Sequence, residues 1–118
     1  MLKIKMEFKK GILFIRLDGI LNKKTIEVFD NEVLSVVLVN KLKYIVVNLD
    51  EVYEVDKDGV SALKELNDII YNFHGKGALC NLTNNQVKRQ LKEYNYTNEY
   101  YEFENELKAL GMMRIWWI

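Results

Sequence analysis

The chain has 118 residues, of which 49% are hydrophobic, and its 17 basic and 17 acidic side chains cancel to a formal net charge of zero. A chain of this length forms one domain, 1–118, that buries about two-thirds of its unfolded surface. The balance excludes the dominant basic face of a nucleic-acid binder. The lone cysteine, Cys80, excludes an internal disulfide, and no uncharged apolar run approaches the roughly 20 residues that span a bilayer. Charge is nevertheless uneven: residues 1–24 carry seven Lys/Arg against two acids, and residues 26–70 carry four against ten. The acidic middle reads either as solvated helix faces or as a surface for a basic or mixed partner. The first ten residues alternate apolar and basic, without the apolar core or cleavage site of a secretory signal, so the expected location is the cytoplasm.

Ile4, Met6 and Phe8 alternate with polar residues, as a half-buried strand does. Gly11 breaks the run, and Ile12 to Leu17 forms a second strand closed by Asp18-Gly19, so the two are expected to pair as a hairpin. Asn22 is placed to cap a helix in which Ile26, Phe29, Val33, Val36, Val37 and Asn40 keep helical spacing. Its valines have poor intrinsic helix propensity, so that helix leans on tertiary packing. Tyr44 to Leu49 has the near-uniform apolar pattern of a central strand buried on both faces. A second helix follows Asp56-Lys57-Asp58-Gly59, with Val60, Leu63, Leu66, Ile70 and Phe73 as its inner stripe and Gly75 and Gly77 bracketing its end. Ala78 to Leu82 is a fourth strand, and Asn84 or Asn85 caps a third helix carrying Val87 and Leu91. Tyr100 to Phe103 and Glu104 to Leu110 complete the order as strand and helix. The result is an α/β domain with a mixed, mostly parallel sheet of four to five strands and about four helices mainly on one face.

No constellation for catalysis assembles. Asp56 and Asp58 are two acids without a third ligand, and His74 has no Cys or His companion for a metal. Gly75-Lys76-Gly77 is far from a phosphate loop. Cys80 falls in a core strand, as an inert buried thiol would. One histidine and two serines give no triad. The expectation is a protein that is not an enzyme and holds no cofactor or metal.

Several segments, taken in order, resemble the STAS domain of bacterial anti-sigma-factor antagonists of the sporulation and general-stress type. Leu17-Asp18-Gly19-Ile20-Leu21 is similar to that family's L-x-G-x-L turn into the first helix. Ile45 to Leu49 is similar to its central strand, and Val87-Lys88-Arg89-Gln90-Leu91 to its V-x-R-x-L. Val55-Asp56-Lys57-Asp58-Gly59-Val60 stands where the family writes a hydrophobic residue followed by D-S-S-G-L or D-S-T-G-L. The resemblance implies a partner switch that binds an anti-sigma factor, itself a serine kinase, and is inactivated by phosphorylation of the serine before the glycine. The partner surface it implies is Asn22, Lys23, Lys24 and Thr25 with Tyr53, Glu54, Asp56, Lys57, Asp58, Gly59 and Ser61.

Asp58 occupies the serine position, so that chemistry has no hydroxyl to act on there. Three readings follow: a built-in off state, a permanently active antagonist, or a plain N-cap. Asp supplies only part of a phosphoserine's charge and oxygens. Ser61 and Thr25 are weighed as substitute phosphosites against ordinary helix-face and first-turn roles. The tail, Met112 to Ile118, is expected to fold back as a final strand or hydrophobic plug, or else to make a homodimer or partner contact through Trp116 and Trp117. No membrane association is expected.

Overall fold

The computed structural model describes residues 1–96 and 101–117, with side chains as far as Met113. Strands β1 (Leu2–Lys9) and β2 (Ile12–Leu21) form the expected antiparallel hairpin. Its two-residue turn, Lys10-Gly11, has positive φ at both positions (53° and 80°), as a type I′ turn requires. β3 (Tyr44–Val55), β4 (Lys76–Cys80) and β5 (Tyr101–Phe103) add in parallel, so the five-stranded sheet has the order β1-β2-β3-β4-β5. β3 is twice the expected length. Beyond Asn48 it leaves β4 and continues beside β2 as far as Leu21↔Val55, with two register shifts near Gly19.

Two layers of helix sandwich the sheet. The first helical stretch is α1 (Ile26–Phe29), a π-helical turn (Asp30–Leu34) and α2 (Ser35–Asn40). The π turn is a local widening that hydrophobic spacing alone does not reveal. α3 (Lys57–Asn72) and α4 (Asn85–Glu93) lie on the same face. There Phe29, Val33, Val37, Val60, Leu63, Leu66, Ile70, Val87 and Leu91 pack on Leu13, Ile15, Leu17, Ile45, Val47 and Leu49. The opposite face carries α5 (Glu106–Trp117), where Ala109 and Met113 cover Ile12, Phe14, Val46, Ala78 and Cys80.

Several boundaries differ from expectation for identifiable reasons. Asn81, in the left-handed region at φ 56°, ends β4 two residues before Leu82. α3 closes on His74 at φ 64°, with Gly75 N–H donating to Ile70 O at 2.8 Å, so the left-handed residue is the histidine. Gly75 is needed for space, since a Cβ there would lie 1.8 Å from Lys43 O. Of the two asparagines considered for α4, Asn84 is the cap, its Oδ1 accepting from Gln86 and Val87 N–H. Asn105 caps α5 by accepting from Lys108 N–H, so the helix starts at Glu106, two residues later than the Glu104 expected. The tail is not a final strand: α5 runs through Gly111, which has open space around it, to Trp117. Tyr100, the side chains of Trp116 and Trp117, and Ile118 lie outside the described residues.

Candidate functional site

Asp56 is the node at which β2, β3 and α3 meet. Its N–H donates to Leu21 O at 3.2 Å, and its carbonyl accepts from Val60 N–H at 2.9 Å. One carboxylate oxygen accepts from Gly59 N–H at 2.8 Å and the other from Lys23 N–H at 3.2 Å. Asp56 is therefore the N-cap of α3. That corrects the reading of Asp58 as the cap: Asp58 is the second residue of the helix, half-buried, in the first turn where the macrodipole favours negative charge. With the capping bond made by Asp56, the Asp58 carboxylate is not spent on closing the helix.

Gly59 lets α3 press directly on the end of β2. A Cβ at this position would lie 2.2 Å from Leu21 O and 3.0 Å from a methyl of Val55, so no side chain fits without moving backbone. Gly59 is buried, and Ser61, two residues further along the helix, is exposed. Tyr53, on the strand leading in, is 54% exposed, and Lys57, the first residue of α3, is exposed as well.

The connection from β2 to α1 builds the other wall. Asn22 Oδ1 accepts from Lys24 N–H at 2.9 Å and Thr25 N–H at 3.1 Å, while Thr25 Oγ1 accepts from Asn22 N–H at 2.9 Å and donates to Ile20 O at 2.8 Å. Asn22 thus closes the turn ahead of α1, and Thr25 holds the N-cap position without a side-chain cap bond. Thr25 is buried, its hydroxyl committed inward, which gives it a structural place and not that of an accessible phosphosite. Lys23 and Lys24 are exposed above it. The Asp56–Lys23 bond brings together both segments singled out in the sequence, 33 positions apart.

A second polar cluster, on the α5 face, escapes sequence reading. Arg16 donates from Nε and one terminal nitrogen to the two carboxylate oxygens of Glu106, both at 2.8 Å, and that terminal nitrogen also lies 3.0 Å from Glu7. Asn48 Nδ2 donates to Glu106 at 2.7 Å. These bonds hold the Glu106 carboxyl below the usual carboxylate range, with the Arg16 hydrogen bond the largest cause. Arg16 is raised in turn by its bond to Glu106. Beneath α5, burial pushes the Cys80 thiol up to about 12, so it stays protonated and unreactive. A signal was available: Arg16 interrupts the apolar run Ile12 to Leu17, and a cation there needs a partner.

Among the described residues, no group of three His, Cys, Asp or Glu could hold a metal ion, and no helix is long and apolar enough to cross a membrane.

The family model for the STAS domain matches residues 3–109. A structure of a putative anti-sigma factor antagonist from Thermotoga maritima superposes with a TM-score of 0.86 at 18% identity, over 94% of each chain. Unphosphorylated SpoIIAA, an anti-sigma factor antagonist, gives 0.74 at 17%, over 95% of this chain and 98% of that one. The S→E variant of RsbS from Moorella thermoacetica gives 0.80 at 16%, over 97% of both. Comparison with curated protein sequences finds no significant match. With the family match spanning nearly its full length, the chain belongs to the STAS domain family.

Proposed function

We propose that this chain is an anti-sigma-factor antagonist: a cytoplasmic, non-enzymatic protein-binding switch that sequesters an anti-sigma factor of the serine-kinase type. The observation that carries the reading is the corner where Asp56 ties the turn at Lys23 to the start of α3 and leaves the Asp58 carboxylate free of capping duty. The partner would meet Lys23, Lys24, Tyr53, Glu54, Lys57, Asp58 and Ser61, over a foundation of Asn22, Thr25, Asp56 and Gly59. The fold likeness to antagonists supports this.

Binding of the anti-sigma kinase from the same organism, measured by calorimetry with wild type, Asp58→Ser and Asp58→Ala, tests the proposal. Tight binding by wild type means a permanently active antagonist. Weak wild-type binding rescued by both substitutions makes Asp58 a built-in off state. Phosphate incorporation into Asp58→Ser reports whether the kinase still docks.

A second reading is a non-phosphorylatable scaffold or regulatory subunit of a larger signalling assembly. It is favoured by the lack of a hydroxyl at 58 and the burial of the Thr25 hydroxyl. Absence of binding by all three proteins selects it. Self-association through the tail is a separate proposal, tested by sedimentation of a chain lacking residues 112–118.

A further inference from the structure

α4 packs beside the corner built by β2, β3 and α3 and also reaches it with a side-chain hydrogen bond. Gln90 Oε1 accepts a hydrogen bond from Val55 N–H at 2.8 Å. Val55 is fully buried and is the last residue of β3. The next residue is Asp56, which ties Leu21, Lys23 and Gly59 together. Gln90 is itself fixed, because its neighbours Val87 and Leu91 are buried in the main core. Lys64 on α3 also donates to Tyr94 O, where α4 ends. A buried amide deprived of its acceptor is costly, so the place of Val55, and of the cap that follows it, is set from α4.

We propose that Gln90 is a positioning residue for the start of α3, making α4 the element that fixes where Asp58 is presented. The consequence for partner binding rests on the function proposed above; the geometric claim does not.

The test is amide hydrogen exchange by NMR on the full chain, with Gln90→Met, which keeps the length and removes the acceptor, and Gln90→Glu, which restores one. The expected result for Gln90→Met is exchange about tenfold faster or more at Val55, Gly59 and Val60, with β1 and β4 unchanged and Gln90→Glu close to wild type. Faster exchange at Val55 alone, or equally across all elements, overturns the proposal. Should Gln90→Met fail to fold, Gln90→Ala replaces it under the same criteria. Affinity for the anti-sigma kinase should fall about tenfold in Gln90→Met and recover in Gln90→Glu; equal affinities, where wild type binds, also overturn the proposal. If wild type does not bind, the antagonist reading fails while the exchange pattern still decides the role of Gln90.

Discussion

On the face covered by α1 to α4, 22 buried hydrophobic side chains among the described residues form one cluster; on the face covered by α5 there are 7. The larger face rests on that apolar burial, and its polar bonds serve helix caps, a turn and a strand end. The smaller face adds what area does not supply: a two-pronged Arg16–Glu106 contact reinforced by Asn48. Ionic screening does not weaken apolar burial, whereas it does weaken charge-assisted bonds at a part-exposed site. The two sides of one sheet therefore answer differently to mutation, salt and acid.

The comparison breaks most readily where α3 meets β2. Gly59→Ala should cost at least about 4 kcal/mol, because its Cβ meets backbone and not a movable side chain; the midpoint of urea unfolding reads this. A loss below 1 kcal/mol would show that α3 can slide away from Leu21. Leu66→Ala, which empties a fully buried position on the same face, should cost about 3 kcal/mol, with little dependence on salt.

Glu106→Gln sharpens the contrast from the other side. Arg16 is over a third exposed, so solvent screening holds the expected loss to about 1 kcal/mol, and molar salt should shrink it. Cys80 offers an independent readout, since loosening α5 should speed its labelling by a thiol reagent while the main core stays intact. The pH dependence follows from the depressed Glu106 carboxyl. Its stabilisation is complete above the ordinary carboxylate value of about 4.3 and is lost as pH falls through the lower folded value. Glu106→Gln should flatten that acid limb of the stability curve, and an unchanged limb would mean other carboxyls govern it.

Asp30 gives the smallest effect and the opposite sign. Burial raises its carboxyl, and one oxygen is buried without a partner. A folded value above the unfolded one means stability is greatest in acid and falls as pH rises through the folded value. Asp30→Asn should therefore stabilise the protein at neutral pH by a few tenths of a kcal/mol, read by urea midpoint.

Local signals made the large face legible and the small one largely invisible. Val60, Leu63, Leu66 and Ile70 keep helical spacing in the chain and are buried in the fold. Tyr44 to Leu49 announced a central strand, although nothing in its pattern gave the extension to Val55. At the candidate site, the two segments stood out through resemblance, but their joining by Asp56 and Lys23 is a tertiary bond without a local trace. Arg16 and Glu106 are 90 positions apart, and neither names the other. Gly75 brackets the end of α3 as the sequence suggests, but the left-handed residue there is His74, which no local signal announces.

The sheet order repeats the chain order, strand by strand. Each strand entering the fold finds as its neighbour the one made just before it, so no closed pairing has to be reopened to admit a later strand. Chain segments that meet soon after synthesis lose little entropy in meeting. The hairpin can form first, with β3 and β4 adding behind it as their helices close the larger face. α5 comes last and has only one place left to go. A nascent chain stalled before Asn105 would hold a nearly finished main core with Phe14, Val46 and Cys80 uncovered, the surface a chaperone would recognise until the final helix docks.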